Sequence, residues 1–200
     1  KSIAMFSRDV RTHGLFRAAW IQAIEAQGLA PKVYVRGKGL AGIVRYIGAF
    51  IRRRSSIRVV FGVAETLLLN PFANRDDVFV ITGLGRLLQR DNARARLARR
   101  YLRVLDRGQR IVVLNDDDRH FFQRLYQREI CLIHGEGYNF QPAPVRIPSQ
   151  RALRLAYAGR LLKSKGADML IEACSRLTGD LTLLLMGDLD FGNSDAIDAK

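Results

Sequence analysis

Short apolar stretches of strand length alternate with helix-period stretches from the first residues onward, and a chain built this way folds most readily as a parallel sheet with helical crossovers. The pattern predicts strands at Ile3–Ser7, Lys32–Val35, Ile57–Gly62, Val78–Thr82, Arg110–Leu114 and Ile130–His134. Helices are predicted between most of them, at Leu15–Gln27, Leu40–Arg54, Gln89–Asp106 and Asp117–Tyr126. Apolar residues recur at three-and-four spacing, as in Leu88, Ala95, Ala98, Leu102 and Leu105, and Gly28 lies just past the end of the first helix. The predicted class is α/β, a Rossmann-like parallel sheet with helices on both faces.

The alternation breaks at residues 141–150, where Pro142, Pro144 and Pro148 read as a linker. Beyond it come a strand at Arg154–Ala158, a helix at Ala167–Leu177 and a strand at Leu181–Met186, one βαβ unit. The expected domains are therefore residues 1–140, a linker at 141–151, and 152–200 as the start of a second Rossmann-like domain. Some fifty residues do not close a doubly wound sheet, so the chain reads as a fragment, inactive by itself.

A hydrophobic fraction of 48% with 26% charged residues is globular composition and excludes a disordered or low-complexity scaffold. No apolar run approaches the roughly 20 residues needed to span a bilayer. Lysine and arginine total 33 against 19 acids, a net charge of +14, so polyanions are the expected neighbours: nucleic acid, an anionic lipid surface or a phosphorylated substrate. Cys131 and Cys174 match no metal or disulfide spacing, which points to free thiols in a reducing compartment and favours the cytoplasm.

The stretch with the most chemistry in it runs from Tyr157 through Gly159 and Arg160 to Lys165 and Gly166, a strand leading by a basic loop into a helix start. Free N–H groups and the positive dipole end of a helix, joined by Arg160 and Lys165, suit a diphosphate. Arginine grips two oxygens at once and lysine acts as a point charge. The same residues also fit a plain solvated basic loop. Gly83 and Gly85, in the turn after the predicted strand at Val78–Thr82, let backbone approach a ligand at a strand's C-terminal edge, or form an ordinary tight turn. Gly135, Glu136, Gly137 and Asn139 sit at another strand end and would line a cleft near the crossing between the domains, or turn the chain there.

Gly159-Arg-Leu-Leu-Lys-Ser-Lys-Gly166, followed by Asp168-Met-Leu-Ile-Glu-Ala173, resembles the opening of the nucleotide-sugar domain in family-4 retaining glycosyltransferases. Ile81-Thr-Gly-Leu-Gly85, Leu114-Asn-Asp-Asp-Asp118, Ile133-His-Gly-Glu-Gly-Tyr-Asn139 and the stretch from Met186 to Ile197 are similar, in order, to one branch of that family. The resemblance implies two facing Rossmann-like domains, the GT-B arrangement. It implies retaining transfer of a hexosyl or N-acetylhexosaminyl group from a nucleoside-diphosphate sugar, UDP-linked, to a glycan or polyprenyl-diphosphate-linked acceptor in bacterial surface polysaccharide assembly. On this reading Gly159, Arg160, Lys165 and Gly166 hold the donor diphosphate, while His13, Glu65, Gly83, Gly85, Gly135, Glu136 and Gly137 line the cleft on the acceptor side. Two positions differ from the family: the loop Gly62–Asn70 has no histidine, with Glu65 its sole ionisable group, and Glu136 stands where a small residue is usual. No catalytic residue is assigned and no cofactor is implied, the nucleotide sugar being a substrate.

Asn115-Asp-Asp-Asp118 and Asp188-Leu-Asp190 invite a metal reading, but the first fits an N-cap with acids in the following turn, and a leaving group stabilised by cations and a helix end requires no divalent ion. His13, His120 and His134 form no nucleophile–base spacing, which removes support for covalent hydrolase chemistry; His120 reads as a surface residue.

Two basic features account for the charge. Leu40, Ile43, Val44, Ile47, Phe50 and Ile51 recur at helical spacing and run into Arg52, Arg53 and Arg54. Residues 86–110 hold nine arginines, among them Arg96, Arg100, Arg103 and Arg107 in a stripe. Either could meet an anionic membrane surface, placing the protein peripherally on the inner face of the bacterial cytoplasmic membrane, or be a helix with one face on the sheet and one in water. Arg52, Arg53, Arg54, Arg96, Arg100 and Arg103 are the expected membrane contacts. The rival from another class, a basic nucleic-acid-binding α/β module without enzymatic activity, has the charge but no recognition motif, and no nucleic-acid partner is expected. A dinucleotide-dependent oxidoreductase is disfavoured because the loop after the first strand, Ser7 to Gly14, lacks the glycine fingerprint.

Overall fold

The structure, a computed structural model, describes residues 2–8, 17–89, 91–135, 153–187, 189 and 195–197. The chain divides into two compact units, Lys1–Gln141 and Pro142–Lys200.

The first unit is an α/β domain around a six-stranded sheet. Its strands are β1 (Ile3–Ser7), β2 (Lys32–Val35), β3 (Ile57–Phe61), β4 (Val78–Ile81), β5 (Arg110–Val113) and β6 (Cys131–Leu132), in the order β2-β1-β3-β4-β5-β6, every pair parallel. The helices are α1 (Ala18–Glu25), α2 (Gly39–Arg52), α3 (Val63–Leu69), α4 (Gly85–Gln89), α5 (Ala93–Val104) and α6 (Asp116–Tyr126). The chain steps from β1 outward to β2, then returns to β3 on the other side of β1. Because parallel crossovers are right-handed, that reversal sends successive helices to opposite faces. Trp20, Ile21 and Ile24 of α1 accordingly pack on Met5, Val59, Phe61, Val80 and Val112. The other face carries Phe6, Val60, Phe79, Ile81 and Val113, covered by Tyr46 and Phe50 of α2, Leu102 of α5, and Phe122 and Leu125 of α6. Phe6 is the hub there, stacked on Tyr34 and edge-on to Tyr46 and Phe50 with centroids 4.8, 5.5 and 5.0 Å away.

Several predicted boundaries change. The helix expected from Gln89 to Asp106 begins later, at Ala93 as α5, because the Asn92 side chain accepts from the backbone N–H of Ala95 at 2.9 Å and caps it there; the short α4 precedes it. The stretch read as a loop, Gly62–Asn70, is α3 followed by a 3-10 turn at Asn70–Phe72, since Val63, Leu67 and Leu68 find the core. The six-residue apolar stripe of α2 is split: Phe50 is fully buried and Ile47 packs on the core, while Leu40, Val44 and Ile51 face outward. Asn115 does cap α6, accepting from Asp118 N at 2.8 Å, with Asp116, Asp117 and Asp118 in the first turn. Burial raises the Asp118 pKa, and the Asn115 amide opposes that by donating to the carboxylate.

A buried ion pair sits at the N-terminal side of the sheet. Arg58 and Asp77 are both fully enclosed and meet through two parallel bonds, Nε to Oδ1 at 2.7 Å and Nη2 to Oδ2 at 2.6 Å. Arg58 also donates to the carbonyls of Phe50 and Phe72, its guanidinium lies 3.9 Å over the Phe50 ring, and Asp77 accepts from Asn74 N.

The second unit contributes β7 (Leu153–Ala158) and β8 (Leu181–Met186), parallel over six residue pairs, with α7 (Ala167–Ser175) between them.

Removing one partner of the Arg58–Asp77 pair strands the other charge, so Asp77→Ala is expected to lower unfolding stability by about 3–5 kcal/mol in urea titration. Replacing both at once, Arg58→Met with Asp77→Leu, is expected to recover most of that loss.

Candidate functional site

Parallel α/β sheets bind ligands beyond the C-terminal ends of their strands, where the order of strands reverses. In this sheet the reversal falls between β1 and β3, and a crevice of about 520 Å³ lies there, lined by Ser7 and Arg8 after β1, Phe61 to Glu65 after β3, and Thr82 to Gly85 after β4. Gly62, with φ of +95°, turns the chain from β3 into α3, and Gly83, with φ of +133°, does the same after β4; a side chain at either would be strained. The expected acceptor-side residues Glu65, Gly83 and Gly85 are thus brought to one place. Gly135 is not among them. It lines a separate apolar crevice of about 620 Å³ with Trp20, Ile24, Ile133 and His134. His13, Glu136, Gly137 and Asn139 lie outside the described residues.

Sequence reasoning missed what surrounds Glu65. Its carboxylate is buried and faces the Arg36 guanidinium at 3.3 Å, and Arg36 is held at the end of β2 by its backbone N–H, which donates to Ser7 O at 3.0 Å. The Tyr46 phenol is buried close by. Desolvation drives its pKa far up, the Glu65 charge adds to that, and the guanidinium groups of Arg36 and Arg17 oppose it, so this phenol stays protonated. Arg17, buried to 5% exposure just before α1, stacks on the Phe61 ring at 4.2 Å and lines the crevice with Arg8. A glutamate and an arginine read as solvent-facing residues in a sequence; no local pattern marks them as buried.

In the second unit, β7 runs through Gly159 and Arg160 into a 3-10 turn at Lys163–Lys165, and Gly166, at φ of +74°, opens α7. The Tyr157 hydroxyl donates to the carbonyl of Arg160 at 3.0 Å, with the carbonyl of Lys165 at 3.4 Å as a second acceptor, which folds the two cationic residues back toward one another. Arg160 and Lys165 are exposed at this turn. Asp168 stands in the first turn of α7, where an acid offsets the helix dipole. Residues 195–197 clamp the outer side: Lys163 N donates to Asp195 O at 2.8 Å, Ile197 N to Leu161 O at 3.1 Å, and the Ser164 hydroxyl to the Asp195 carboxylate. Two parts of the sequence read separately, 157–166 and 195–197, thus meet in space.

The expected membrane contacts divide. Arg52 and Arg54 are exposed beside outward-facing Leu40, Val44 and Ile51. Arg53 is instead folded back, donating to the Tyr34 hydroxyl at 2.6 Å, because that hydroxyl is within reach across β2. Arg96, Arg100 and Arg103 are exposed, Arg96 with Asp91 at 3.7 Å, while Arg103 also donates to the Leu125 carbonyl at 3.2 Å and so ties α5 to the end of α6. Among the described residues no cluster of ligand-type side chains suits a metal ion, and no helix is long and apolar enough to cross a membrane. No family model and no curated protein matches the chain.

Gly187 meets the turn so closely that a Cβ there would lie 1.8 Å from Gly159 O. Gly187→Ala is therefore expected to force β7 and β8 apart at their ends and cost about 1–3 kcal/mol or more in unfolding of the second unit, measured by pulse proteolysis at sites within residues 153–187.

Proposed function

We propose that the chain is the acceptor domain and the start of the donor domain of a retaining glycosyltransferase that uses a nucleoside-diphosphate sugar, UDP-linked, and a glycan or polyprenyl-diphosphate-linked acceptor. The observation that carries the reading is the Tyr157-anchored turn, in which Arg160 and Lys165 are exposed on the same short loop at the start of α7. In the proposed reaction the bond between the sugar C1 and the diphosphate oxygen breaks, the acceptor hydroxyl oxygen bonds to C1 on the same face, and UDP and a proton are released. Negative charge on the diphosphate grows as that bond breaks. Arg160 and Lys165 then bind the transition state more tightly than the ground state, which is the condition for lowering the barrier. The nucleotide sugar is consumed, so no cofactor enters this scheme.

The crevice of the first unit supports an acceptor role for that domain. It combines glycine turns, apolar walls and charged groups at the edge of the sheet where ligands bind. A lipid-linked acceptor lies at a bilayer surface, and α2 offers a means of reaching it: Leu40, Val44 and Ile51, spaced by four and seven residues and 77%, 60% and 46% exposed, run along one side of the helix toward Arg52 and Arg54. This arrangement supports peripheral attachment to an anionic cytoplasmic membrane face.

Two measurements test the reading. UDP titrated onto the chain is expected to bind, and Arg160→Ala and Lys165→Ala are each expected to weaken binding by about tenfold, a loss of about 1.4 kcal/mol. The full-length gene product is expected to release UDP from a matching donor in the presence of a polyprenyl-diphosphate acceptor; turnover unchanged in both variants would overturn the assigned roles. Sedimentation with vesicles containing anionic phospholipid is expected to be lost in Arg52→Glu with Arg54→Glu and to fall steeply with added salt, each basic residue near the surface contributing about 1 kcal/mol. Binding to random duplex DNA with no response to UDP would favour the nucleic-acid module instead.

A further inference from the structure

A smaller pocket lies at the other end of the sheet from the crevice, beside the start of β3 and the approach to β5. Its volume is about 270 Å³, and Ile51, Arg54, Arg58, Phe72 and Arg107 are among its lining residues. Arg58 is committed to Asp77 and to two carbonyls. Arg54, just after α2, and Arg107, just after α5, are different: both are exposed, and among the described residues neither has an ion-pair partner. Arg75 lies against Gly108 and adds a third cation close by. The neighbouring acids do not offset them, since Asp77 is taken by Arg58, Asp106 pairs with Arg128 at 3.1 Å, and Asp76 is not part of the lining. Like charges gathered at one small pocket repel unless an anion sits between them. The rim is apolar. Ile51 and Phe72 are exposed there, and each flanking helix carries an outward stripe, Leu40 and Val44 on α2 and Leu97 and Val104 on α5. Both helices cover the same face of the sheet. Aliphatic side chains beside unpaired arginines suit a lipid surface, where the first enter the acyl boundary and the second meet phosphates; a nucleic-acid backbone would satisfy the cations and leave the aliphatic groups in water.

We propose that this pocket is a headgroup site for a phosphate monoester carried by a membrane lipid: Arg54 and Arg107 share the phosphate oxygens, and Ile51 and Phe72 meet the glycerol and the first acyl carbons. A monoester phosphate carries about −1.5 to −2 charges at pH 7 and three acceptor oxygens, so it matches two guanidinium groups better than a singly charged diester does. The inference rests on the membrane-attachment reading, to which it adds the identity of the headgroup, and it is independent of sugar transfer. The pocket and the crevice stand at opposite ends of the strands, separated by the five residues of β3, or about 16 Å, so the lipid held here is a point of attachment and not the acceptor.

The experiment compares two vesicle preparations of phosphatidylcholine at matched surface charge, one carrying phosphatidic acid, a monoester, and the other phosphatidylglycerol, a diester. Sedimentation is expected to show the chain binding the phosphatidic acid vesicles at least about fivefold tighter. Arg54→Gln and Arg107→Gln are each expected to remove that preference. Arg52→Gln, a neighbouring exposed charge outside the lining, is expected to weaken binding to both vesicles by a similar factor of about five and to keep the preference. Circular dichroism checks that the variants fold; should one of the pocket variants fail, the other decides. Glycerol 3-phosphate, the headgroup without acyl chains, is expected to bind weakly and to lose that binding in the same two variants. Equal binding to the two vesicles, or a preference unmoved by both pocket variants, overturns the site while membrane attachment stands. Binding of glycerol 3-phosphate that depends on Arg54 and Arg107, with no binding to either vesicle, overturns the attachment and the lipid source and leaves a site for a free phosphate monoester. Random duplex DNA that displaces the chain from phosphatidic acid vesicles at equal phosphate concentration, through the same two arginines, overturns the lipid assignment. Absence of binding to every probe overturns the site and the attachment together.

Discussion

The arrangement of the first unit depends on the enclosed pair Arg58–Asp77. One guanidinium joins four pieces of chain that are distant in sequence: β3 through Arg58 itself, the end of α2 through the Phe50 carbonyl, the 3-10 turn through the Phe72 carbonyl, and the entry to β4 through Asp77. Asp77 in turn receives Asn74 N, and its carbonyl accepts from Arg110 N at the start of β5. Four of the five guanidinium N–H groups and both carboxylate oxygens are bonded, which offsets the cost of stripping two charges of water. Such a pair adds little net stability over an apolar one, whereas loss of either partner leaves the other charge buried and unpaired. With the N-terminal ends of the strands pinned, the opposite ends are free to diverge into the turns that form the crevice.

That crevice is a consequence of strand order more than of any single residue. Stepping from β1 to β2 and then back to β3 sends the connections away from each other on opposite faces, and the space between them falls where Gly62 and Gly83 turn the chain. Charge enters it from elements on both sides: Arg17 before α1, Glu65 in α3, Arg36 at the end of β2. The second unit builds its loop by different means. In its strands alternate residues are half-buried and none is fully buried, and the turn at 159–166 is held by the Tyr157 hydroxyl on one side and by residues 195–197 on the other.

Much of the fold is legible along the chain because its signals are local. The runs Ile3–Ser7, Lys32–Val35 and Leu181–Met186 coincide with strands, since each is a short apolar stretch bounded by turn residues. Asn115 announces the start of α6 through a bond spanning three residues. The same kind of bond at Asn92 starts α5 four residues later than apolar spacing places it, and α3 goes unread because its leucine run carries no helical period. At the site, glycines and the basic loop at 160–165 are visible because their chemistry depends on residue type. Arg17, Arg36, Arg58 and Glu65 are not, because a charged residue in a sequence reads as solvated whether or not a partner waits for it in the fold.

By itself, then, the sequence determined the class of the domain, the place of most strands, the Asn115 cap, and the two cations of the loop at 160–165, all features that rest on contacts within a few residues or on the chemistry of one side chain. Only the tertiary structure decided which charges are enclosed and with whom they pair, that Arg53 and Arg103 bond to a hydroxyl and a carbonyl distant in sequence, and that Glu65 and the Gly83 turn share one crevice while Gly135 lines another. The reason is physical: burial of a charge is set by the sum of all groups that approach it across the sheet, and those groups are brought together by strand order, which no short window of residues contains.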